Sequence, residues 1–387
     1  MKEGWELKKI KEVADVFAGQ GAPQGDSNYC LNGIPFVKAG NLSELINGKP
    51  ESSIQNVSEQ VAKTHKLKLY KAGSVLFAKS GMSCMKGYVY TLKKDCYVVS
   101  HLAIITPISV DSHFLNYYLC FNKPNTLIKD SAYPSISLKD IENLKIPVPT
   151  ISEQQQIVEE LDLLGSIIEK KKEQLKELDN LAQSIFYDMF GDPVTNEKGW
   201  KVEKLSTVCD VRDGTHDSPK YVDKGYPLIT SKNVVNGSLS FENVNLITEK
   251  DLNAINVRSK VDDGDIIMPM IGTIGKPVIV KKIREFAIKN VALIKFTESK
   301  NVQNIYIQKL LDNKIYSIFL KGLNQGVTQK FVSLKTIRQL PIPLPPISLQ
   351  QQFASKIEAI EKQKELIKQS IKEVETLFNS RMDYYFN

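Results

Sequence analysis

Five residues near the N-terminus have the types and spacing of a cofactor-binding motif. The run Phe17-Ala18-Gly19-Gln20-Gly21 matches the Phe-x-Gly-x-Gly pattern that binds S-adenosylmethionine. Such a motif needs a strand before it and a helix after it. Here Ala22-Pro23-Gln24-Gly25 follows, which is typical of a loop, and the chain has no Asn/Asp-Pro-Pro-Tyr/Phe motif for amino methylation. The match to the motif is therefore interpreted as coincidental, and no cofactor is predicted.

Other catalytic chemistries lack their parts as well. The sequence has no Gly-x-x-x-x-Gly-Lys-Ser/Thr loop for a nucleotide, and its His and Cys residues do not have metal-ligand spacing. The 5 cysteines are scattered, with no Cys-x-x-Cys pair, which suits a reducing cytoplasm. No apolar run is long enough to cross a membrane, and the N-terminus has no signal-peptide core. We expect a cytoplasmic protein with no catalytic residues and no metal.

Positive charge is concentrated in two parts of the chain. Residues 1–150 hold 18 lysines against 13 acidic residues, and residues 192–346 hold 23 basic against 16 acidic residues. The segment between them, residues 151–191, has 4 basic and 9 acidic residues. Ordinary solvated lysines would explain either basic segment alone. Two such segments around an acidic one indicate, modestly, a polyanionic partner.

A segment of the sequence occurs twice, 196 positions apart. Of the 21 aligned pairs from Ser137/Ser333 to Ile157/Phe353, 13 are identical. Both copies contain an Ile-Pro-aliphatic-Pro run followed by Gln-Gln-Gln. Because proline cannot continue a helix or a strand ladder, this run closes the preceding domain. A repeat at a fixed period predicts two structural halves.

Each copy leads into a long helix with a coiled-coil pattern. Ser152 with Gln155, and Ser348 with Gln351, fit a capping box that would start each helix. The apolar residues that follow are spaced alternately by four and three, which is the period of a coiled-coil seam. A homodimeric zipper is one interpretation. Two matched seams in one chain favour intramolecular pairing instead.

The seam and its ends contain residues of special interest. Lys171, Lys364 and Arg381 occupy seam positions, where a polar group can fix the register of the helices. Apolar residues near the helix ends could contact a partner protein or pack against the globular segments. These residues are Ile185, Phe186, Met189, Phe190, Tyr384 and Phe386.

The globular segments repeat more loosely than the helices. Their short β-branched runs, bounded by Gly, Asn and Pro, predict strands with tight loops. Helical patches are predicted at Asp111 to Leu119 and at Val302 to Leu311. Each half is therefore a mixed α+β domain whose framework repeats while its loops differ. Matched pairs are Trp5 and Trp200, Gly33 and Gly225, Asn41 and Asn233, and Gly73 and Gly264.

The order of these elements resembles the specificity subunit of type I restriction-modification systems. Supporting motifs are Met189-Phe190-Gly191-Asp192-Pro193, then Gly199-Trp200, and Asp213-Gly214-Thr215-His216 with Pro219. The resemblance implies two target-recognition domains and two long antiparallel helices that form an intramolecular coiled coil. The expected boundaries are 1–150 for the first recognition domain, 151–191 for the first spacer helix, 192–346 for the second domain and 347–387 for the second helix.

The resemblance also implies a function. Each domain would read one half of a bipartite, asymmetric site on double-stranded DNA, and the helices would set the spacing. A helix of roughly 35 residues spans about 50 Å, which exceeds one DNA turn of about 34–36 Å. The chain would dock methyltransferase subunits, expected to be two, and restriction subunits through them. It would have no catalytic activity. Alternatives are a stand-alone coiled-coil adaptor or regulator, and a self-contained methyltransferase.

In this family the loops that follow the framework strands face the DNA. Their Lys, Asn, Gln, Ser, Thr and Tyr side chains suit base-edge and phosphate contacts. The first lobe contains no arginine, so any guanine it reads must be met by other donors. His216 could equally be a turn residue that caps its own loop. The expected contacts are Lys38, Asn41, Lys79, Ser80, Ser83, Lys86, Tyr133, Ser135, Arg212, Thr215, His216, Lys220, Tyr221, Ser231, Lys232, Asn233, Thr273, Lys276, Asn324, Gln325 and Thr328.

Overall fold

The computed structural model describes residues 4–235, 237–270, 276–296, 301–316, 318 and 332–387. The chain divides into two compact units, one of Met1–Lys172 with Gln369–Asn387 and one of Glu173–Lys368. Each unit contains one globular lobe and one half of each long helix. None of the helices in the described ranges is both long enough and apolar enough to span a membrane.

The first lobe is built from three small sheets, counted over its described residues. Its strands are β1 (Glu6–Lys9), β2 (Ala14–Ala18), β3 (Ile34–Val37), β4 (Asn56–Val57), β5 (Val75–Ala78), β6 (Val89–Thr91), β7 (Tyr97–Val98), β8 (Leu102–Pro107) and β9 (Lys145–Val148). Four antiparallel strands lie in the order β2-β8-β5-β6, three in the order β4-β3-β7, and β1 pairs with β9. All of β5 and the first four residues of β8 are buried, as expected for central strands covered on both faces.

The second lobe repeats this topology. In the described part of this lobe the strands are β10 (Lys201–Lys204), β11 (Asp210–Asp213), β12 (Tyr226–Ile229), β13 (Val234–Val235), β14 (Ser238–Leu239), β15 (Asn245–Ile247), β16 (Ile266–Pro269), β17 (Val278–Ile279), β18 (Ala287–Ile288), β19 (Val291–Lys295) and β20 (Pro341–Leu344). The order β11-β19-β16-β17 matches the first four-stranded sheet, and β15-β12-β18 matches the three-stranded one. Leu7 faces Pro147 and Val202 faces Pro343 in the terminal ribbons. The predicted repeat of the framework is therefore confirmed.

Short helices connect these strands. The predicted helical patches form the helices Ser112–Phe121 and Asn304–Asp312. The Asp111 carboxylate caps the first of them by accepting hydrogen bonds from the backbone N–H groups of His113 and Phe114. Among the residues that the structure describes, the other short α-helices are Ile10–Val13, Leu42–Ile46, Glu59–Thr64 and Leu138–Glu142 in the first lobe, and Leu205–Val208, Glu249–Ser259 and Leu334–Arg338 in the second.

Two long helices, Ile151–Phe190 and Ile347–Phe386, have 40 residues each and pair antiparallel within each unit. In the first unit, the Arg381 guanidinium pairs with the Glu160 carboxylate at 2.5 Å. In the second unit, Lys364 Nζ lies 2.7 Å from the Asp179 carboxylate. The seam positions predicted for Lys364 and Arg381 are thus occupied by cross-helix ion pairs. The helices pair within one chain, as the two matched seams favoured.

The predicted capping boxes are wrong in position. The first long helix begins at Ile151, so Ser152 already lies in its first turn. Thr150 and Glu153 form the reciprocal cap instead: the Thr150 N–H donates to the Glu153 carboxylate at 3.0 Å, and the Glu153 N–H donates to the Thr150 hydroxyl at 3.3 Å. In the second copy, the carbonyl of Pro346 accepts the first bonds of the helix.

A buried glutamine fixes the start of each long helix. Gln154 and Gln350 are both fully buried. The Gln154 side chain donates to the Pro149 carbonyl at 2.9 Å and accepts from the Asp111 N–H at 2.7 Å. Gln350 makes the equivalent bonds to the Pro345 carbonyl at 2.8 Å and from the Gln303 N–H at 2.9 Å. Each glutamine therefore bonds the start of its long helix to the preceding proline run and to the N-terminus of an earlier helix in the same lobe, Ser112–Phe121 or Asn304–Asp312.

The aromatic residues at the helix ends pack against the lobes. In the second unit Phe186 and Phe190 are buried around Phe353, with ring centroids 5.7 and 5.0 Å from it. In the first unit Phe386 is buried, and its ring lies 5.4 Å from that of Phe114. Phe186, Phe190 and Phe386 therefore belong to the hydrophobic cores and do not form a surface for a partner protein.

Candidate nucleic-acid interface

The glycine motif near the N-terminus has a structural role. A Cβ atom on Gly19 would lie 2.2 Å from the carbonyl oxygen of Val99, so the chain can cross the neighbouring strand only at a glycine. Gly214 occupies the same place in the second lobe, where a Cβ would lie 2.4 Å from the Ile288 carbonyl oxygen. The second lobe has the same close backbone approach at Gly214 but lacks the Phe-x-Gly-x-Gly motif. The close approach is therefore enough to explain why residue 19 is a glycine.

Gly19→Ala is therefore expected to destabilise the first lobe by about 1–3 kcal/mol or more, because backbone atoms must move to admit the methyl group. Gly21→Ala is the matched control, since a Cβ there meets no atom within 4 Å. Urea denaturation of the two variants measures the contrast. Equal stabilities would refute the role assigned to Gly19.

Two predicted contact residues hold equivalent turns in the two lobes. The Asn41 side-chain oxygen accepts a hydrogen bond from the Lys38 N–H at 2.9 Å. The Asn233 oxygen accepts one from the Thr230 N–H at 2.9 Å, and its side chain is buried. These bonds give both asparagines a role in shaping the loop that follows β3 or β12. The Lys38 ammonium lies over the Tyr29 ring, 4.4 Å from its centroid.

The structure brings together the two other predicted loops of the first lobe. Ser80 and Ser135 form an antiparallel bridge, and the Gly81 N–H donates to the Pro134 carbonyl at 3.0 Å. Ser80 also hydrogen-bonds the ring of His101 at 2.9 Å. We call this region the first-lobe loop cluster. It consists of residues 79–88 and 131–135.

This cluster carries polar, basic and aromatic side chains at the surface. Lys86, Tyr133 and Ser135 are exposed, whereas Lys79, Ser80 and Ser83 are half-buried. Cys84 is a buried member of the cluster, and burial raises the pKa of its thiol, which stays uncharged at neutral pH. The cluster thus offers donors and a ring to a ligand without a reactive group.

In the second lobe, Thr215 and His216 form the start of the matching loop. Thr215 bridges to Lys289, parallel to it. One nitrogen of the His216 ring lies 2.9 Å from the Asn290 side-chain oxygen, and the other lies 2.9 Å from the Asp213 carboxylate. His216 therefore has a role in holding its own loop, as its alternative interpretation predicted.

The remaining predicted residues of this lobe differ in how they are held. The Arg212 guanidinium pairs with Asp210 at 2.6 Å and donates to the Arg258 carbonyl at 2.9 Å. Lys220, Tyr221, Lys232 and Lys276 are exposed, and Ser231 is half-buried. Thr273, Asn324, Gln325 and Thr328 lie outside the described residues.

Sequence reasoning missed one basic residue of this region. Arg258 pairs with Asp213 through its guanidinium. It stands 45 positions further along the chain, in the last turn of the helix Glu249–Ser259. The one signal in the sequence was that arginine occurs in the second lobe and not in the first.

A pair at the end of the four-stranded sheet opposite to these loops also distinguishes the lobes. In the first lobe, the Ser74 and Thr106 hydroxyls are 3.1 Å apart. The matching residues of the second lobe are Asp265 and Lys295, whose carboxylate and ammonium groups are 2.7 Å apart. One framework position thus holds a neutral pair in one lobe and an ion pair in the other. The described ranges contain no cluster of His, Cys, Asp and Glu that could hold a metal ion.

Repeated lobes with unlike polar loops, joined to paired helices, define a duplicated recognition protein. A family model described as the type I restriction modification DNA specificity domain matches residues 2–179 and again residues 197–376. The chain belongs to this family and carries its domain twice. It is a non-catalytic DNA-recognition subunit, as the resemblance of its sequence implied.

Curated relatives extend over nearly the whole chain. The specificity subunit of the type I restriction enzyme MjaIX from Methanocaldococcus jannaschii is 23% identical over 385 residues, covering 92% of this chain and 86% of the relative. The specificity subunit of EcoKI from Escherichia coli is 21% identical over 394 residues, covering 93% and 82% respectively.

Two solved structures share the fold. The S subunit of the type I restriction-modification system of M. genitalium has a TM-score of 0.58 at 13% identity, covering 98% of this chain and 95% of that one. A chain from a structural study of complex assembly and conformational transition in the type I R-M system has a TM-score of 0.61 at 17% identity, covering 100% and 98%.

Proposed function

We propose that each lobe reads one half of a split, non-palindromic DNA site. The observation that carries this proposal is the repeated framework with unlike loops. The Asn41 and Asn233 turns are equivalent, whereas the neighbouring loops present different side chains in each lobe. Equal frameworks would place the loops alike on DNA, and unlike side chains would select different bases.

The proposed contacts divide into two groups. Asn41, His216 and Asn233 make side-chain bonds that hold their own loops, and Arg212 pairs with Asp210 on the same strand, so we assign these four to shaping the interface. The other exposed residues of the predicted set are assigned to the DNA itself. They are Lys86, Tyr133, Ser135, Lys220, Tyr221, Lys232 and Lys276.

The long helices are proposed to set the distance between the half-sites and to dock two methyltransferase subunits. Support comes from the duplicated helix start, since Gln154 and Gln350 make the same bonds and give both units a similar junction. Restriction subunits would join through the methyltransferase subunits, in the cytoplasm. The boundaries 1–150, 151–191, 192–346 and 347–387 remain our proposal for the functional segments.

Co-expression with the methyltransferase subunit tests this function. We expect the two proteins to co-purify, and single-molecule sequencing of methylated adenines to show one bipartite motif that depends on this chain. Replacing the second lobe with that of a relative should change one half of the motif only. Co-purification without any motif would contradict DNA reading and favour the adaptor alternative.

A further inference from the structure

One buried carboxylate in the second lobe holds two basic side chains at the surface. Asp213 is the last residue of β11, and its side chain is 9% exposed. One of its oxygens lies 2.9 Å from a ring nitrogen of His216, and the other pairs with the Arg258 guanidinium. The Arg258 side chain is 64% exposed. The buried Asp213 carboxylate thus orients the Arg258 guanidinium, which faces solvent.

The backbone beneath Arg258 is also fixed. The Arg212 guanidinium donates to the Arg258 carbonyl and is itself held by Asp210. The next residue, Ser259, is buried, and its hydroxyl bonds the carbonyl of Ile255. The Arg258 side chain therefore projects from a braced helix end, and such bracing lowers the entropy lost on binding.

The chemistry of a guanidinium decides what this arrangement can bind. Arginine has five N–H donors in a planar fork, and one carboxylate cannot use them all. The commonest specific contact of arginine in the DNA major groove is bidentate, to O6 and N7 of guanine. Asp213 contacts the Nη2 end of the fork and supports it there, as a residue behind a recognition group does.

The other arginines of the second lobe are differently engaged. Arg212 binds Asp210, and Arg338 donates twice to the Val211 carbonyl, at 3.0 and 2.8 Å. Arg284 lies over the ring of Phe241, 5.1 Å from its centroid. Arg258 combines exposure with a supporting carboxylate at the end of β11, where the strand leads into the loop of Thr215 and His216.

We propose that Arg258 reads a guanine in the half-site of the second lobe, with Asp213 and His216 as its positioning residues. This inference rests on the proposed function. The first lobe, which has no arginine, uses other donors for its bases. The specificity of the two half-sites therefore differs in kind: only the second uses a supported guanidinium.

The test uses the complex of the full chain with its methyltransferase subunit and reads the methylated motif of Arg258→Gln. We expect one guanine position of one half-site to become degenerate, with a loss of preference of roughly 10- to 100-fold. Arg258→Lys keeps the ion pair but loses the fork, so the same position should relax. Asp213→Asn should weaken the preference at that position. Arg284→Gln is the matched control and should leave the motif unchanged.

The possible outcomes distinguish a failure of the Arg258 proposal from a failure of the proposed reading of a bipartite DNA site. A motif unchanged in both Arg258 variants, in complexes with wild-type melting temperatures, would overturn the proposal. A uniform loss of methylation at every site with the same motif would also overturn it, because that result describes a phosphate contact. If the wild-type complex reads no bipartite motif, the proposed function itself fails, and this inference fails with it.

Discussion

Replacing Lys295 with methionine is expected to destabilise the second lobe by about 3–5 kcal/mol, because it leaves a buried carboxylate without its counter-charge. Lys295 is 8% exposed, and its ammonium lies 2.7 Å from Asp265, 2.8 Å from Asp262 and 2.9 Å from the Lys260 carbonyl. Asp265 is only 2% exposed, so water cannot replace the lost ammonium. This is the largest stability effect that we expect from a single side chain of this protein.

The first lobe supplies the matched control for this prediction. Its equivalent pair is Ser74 and Thr106, so Asp265→Ser combined with Lys295→Thr transplants a neutral pair to the same framework position. Replacing both members of a buried ion pair is often nearly neutral, whereas removing one member is costly. The double variant should therefore be clearly more stable than Lys295→Met.

Intrinsic fluorescence can follow this lobe alone. The chain has 2 tryptophans, of which Trp5 belongs to the first unit and Trp200 to the second. In a Trp5→Phe background, urea denaturation reports the second unit through Trp200. A Lys295→Met variant as stable as the double variant would refute the assigned role of the ion pair.

The same cluster predicts where stability depends on pH. Burial acts to lower the pKa of Lys295, but its hydrogen bonds with Asp262 and Asp265 prevail and raise the pKa above 10.5. The bond from Lys295 lowers the pKa of Asp262 below 3.8. The lysine contribution is therefore lost as pH rises through the raised pKa, and the aspartate contribution is lost as pH falls through the lowered one. Between about pH 5 and pH 9 both contributions are constant.

The second large effect is expected for Gln154→Leu, which should cost the first unit about 2–4 kcal/mol. Leucine fills the same space but leaves the Asp111 N–H and the Pro149 carbonyl without the partners they have in the native structure. Each buried polar group left unpaired costs roughly 1–3 kcal/mol. Urea denaturation in a Trp200→Phe background, followed through Trp5, measures the loss.

The Gln-Gln-Gln runs contain their own controls. Gln155 is exposed, so Gln155→Leu should change stability by less than about 0.5 kcal/mol. In the second unit, buried Gln350 and exposed Gln351 offer the same contrast. If the buried and exposed variants unfold at the same urea concentration, the glutamine does not fix the helix start.

The architecture was predictable because it depends on repeated, local patterns. The repeat at Ser137 and Ser333, the proline runs and the spacing of apolar residues are visible in one sequence, and they predicted both lobes and both helices. The position of the helix cap was not predictable, because Ser-x-x-Gln and Thr-x-x-Glu patterns overlap at the start of the first long helix. The choice between them depends on the bonds of Gln154 to a distant helix, which a local pattern does not contain.

The candidate site was predictable only in part, for a related reason. Loop positions follow from the framework, so Ser80 and Ser135 could be placed in loops before their contact was known. The roles of polar residues inside a loop depend on tertiary partners. Asn41 accepts a bond within its own turn, and Asp213 meets an arginine from another element. The spacing of polar residues in the sequence does not indicate whether a side chain bonds within its own turn or to another element.

The division of the chain between its two units has a consequence for synthesis on the ribosome. The second unit is one continuous segment, Glu173–Lys368, so all its parts exist before residues 369–387 are made. The first unit needs those later residues, since Phe386 fills part of its core and the Asn122 side chain donates to the Phe386 carbonyl. The first lobe is therefore translated first, but its core is completed only when residues 369–387 have been translated, after the whole of the second unit.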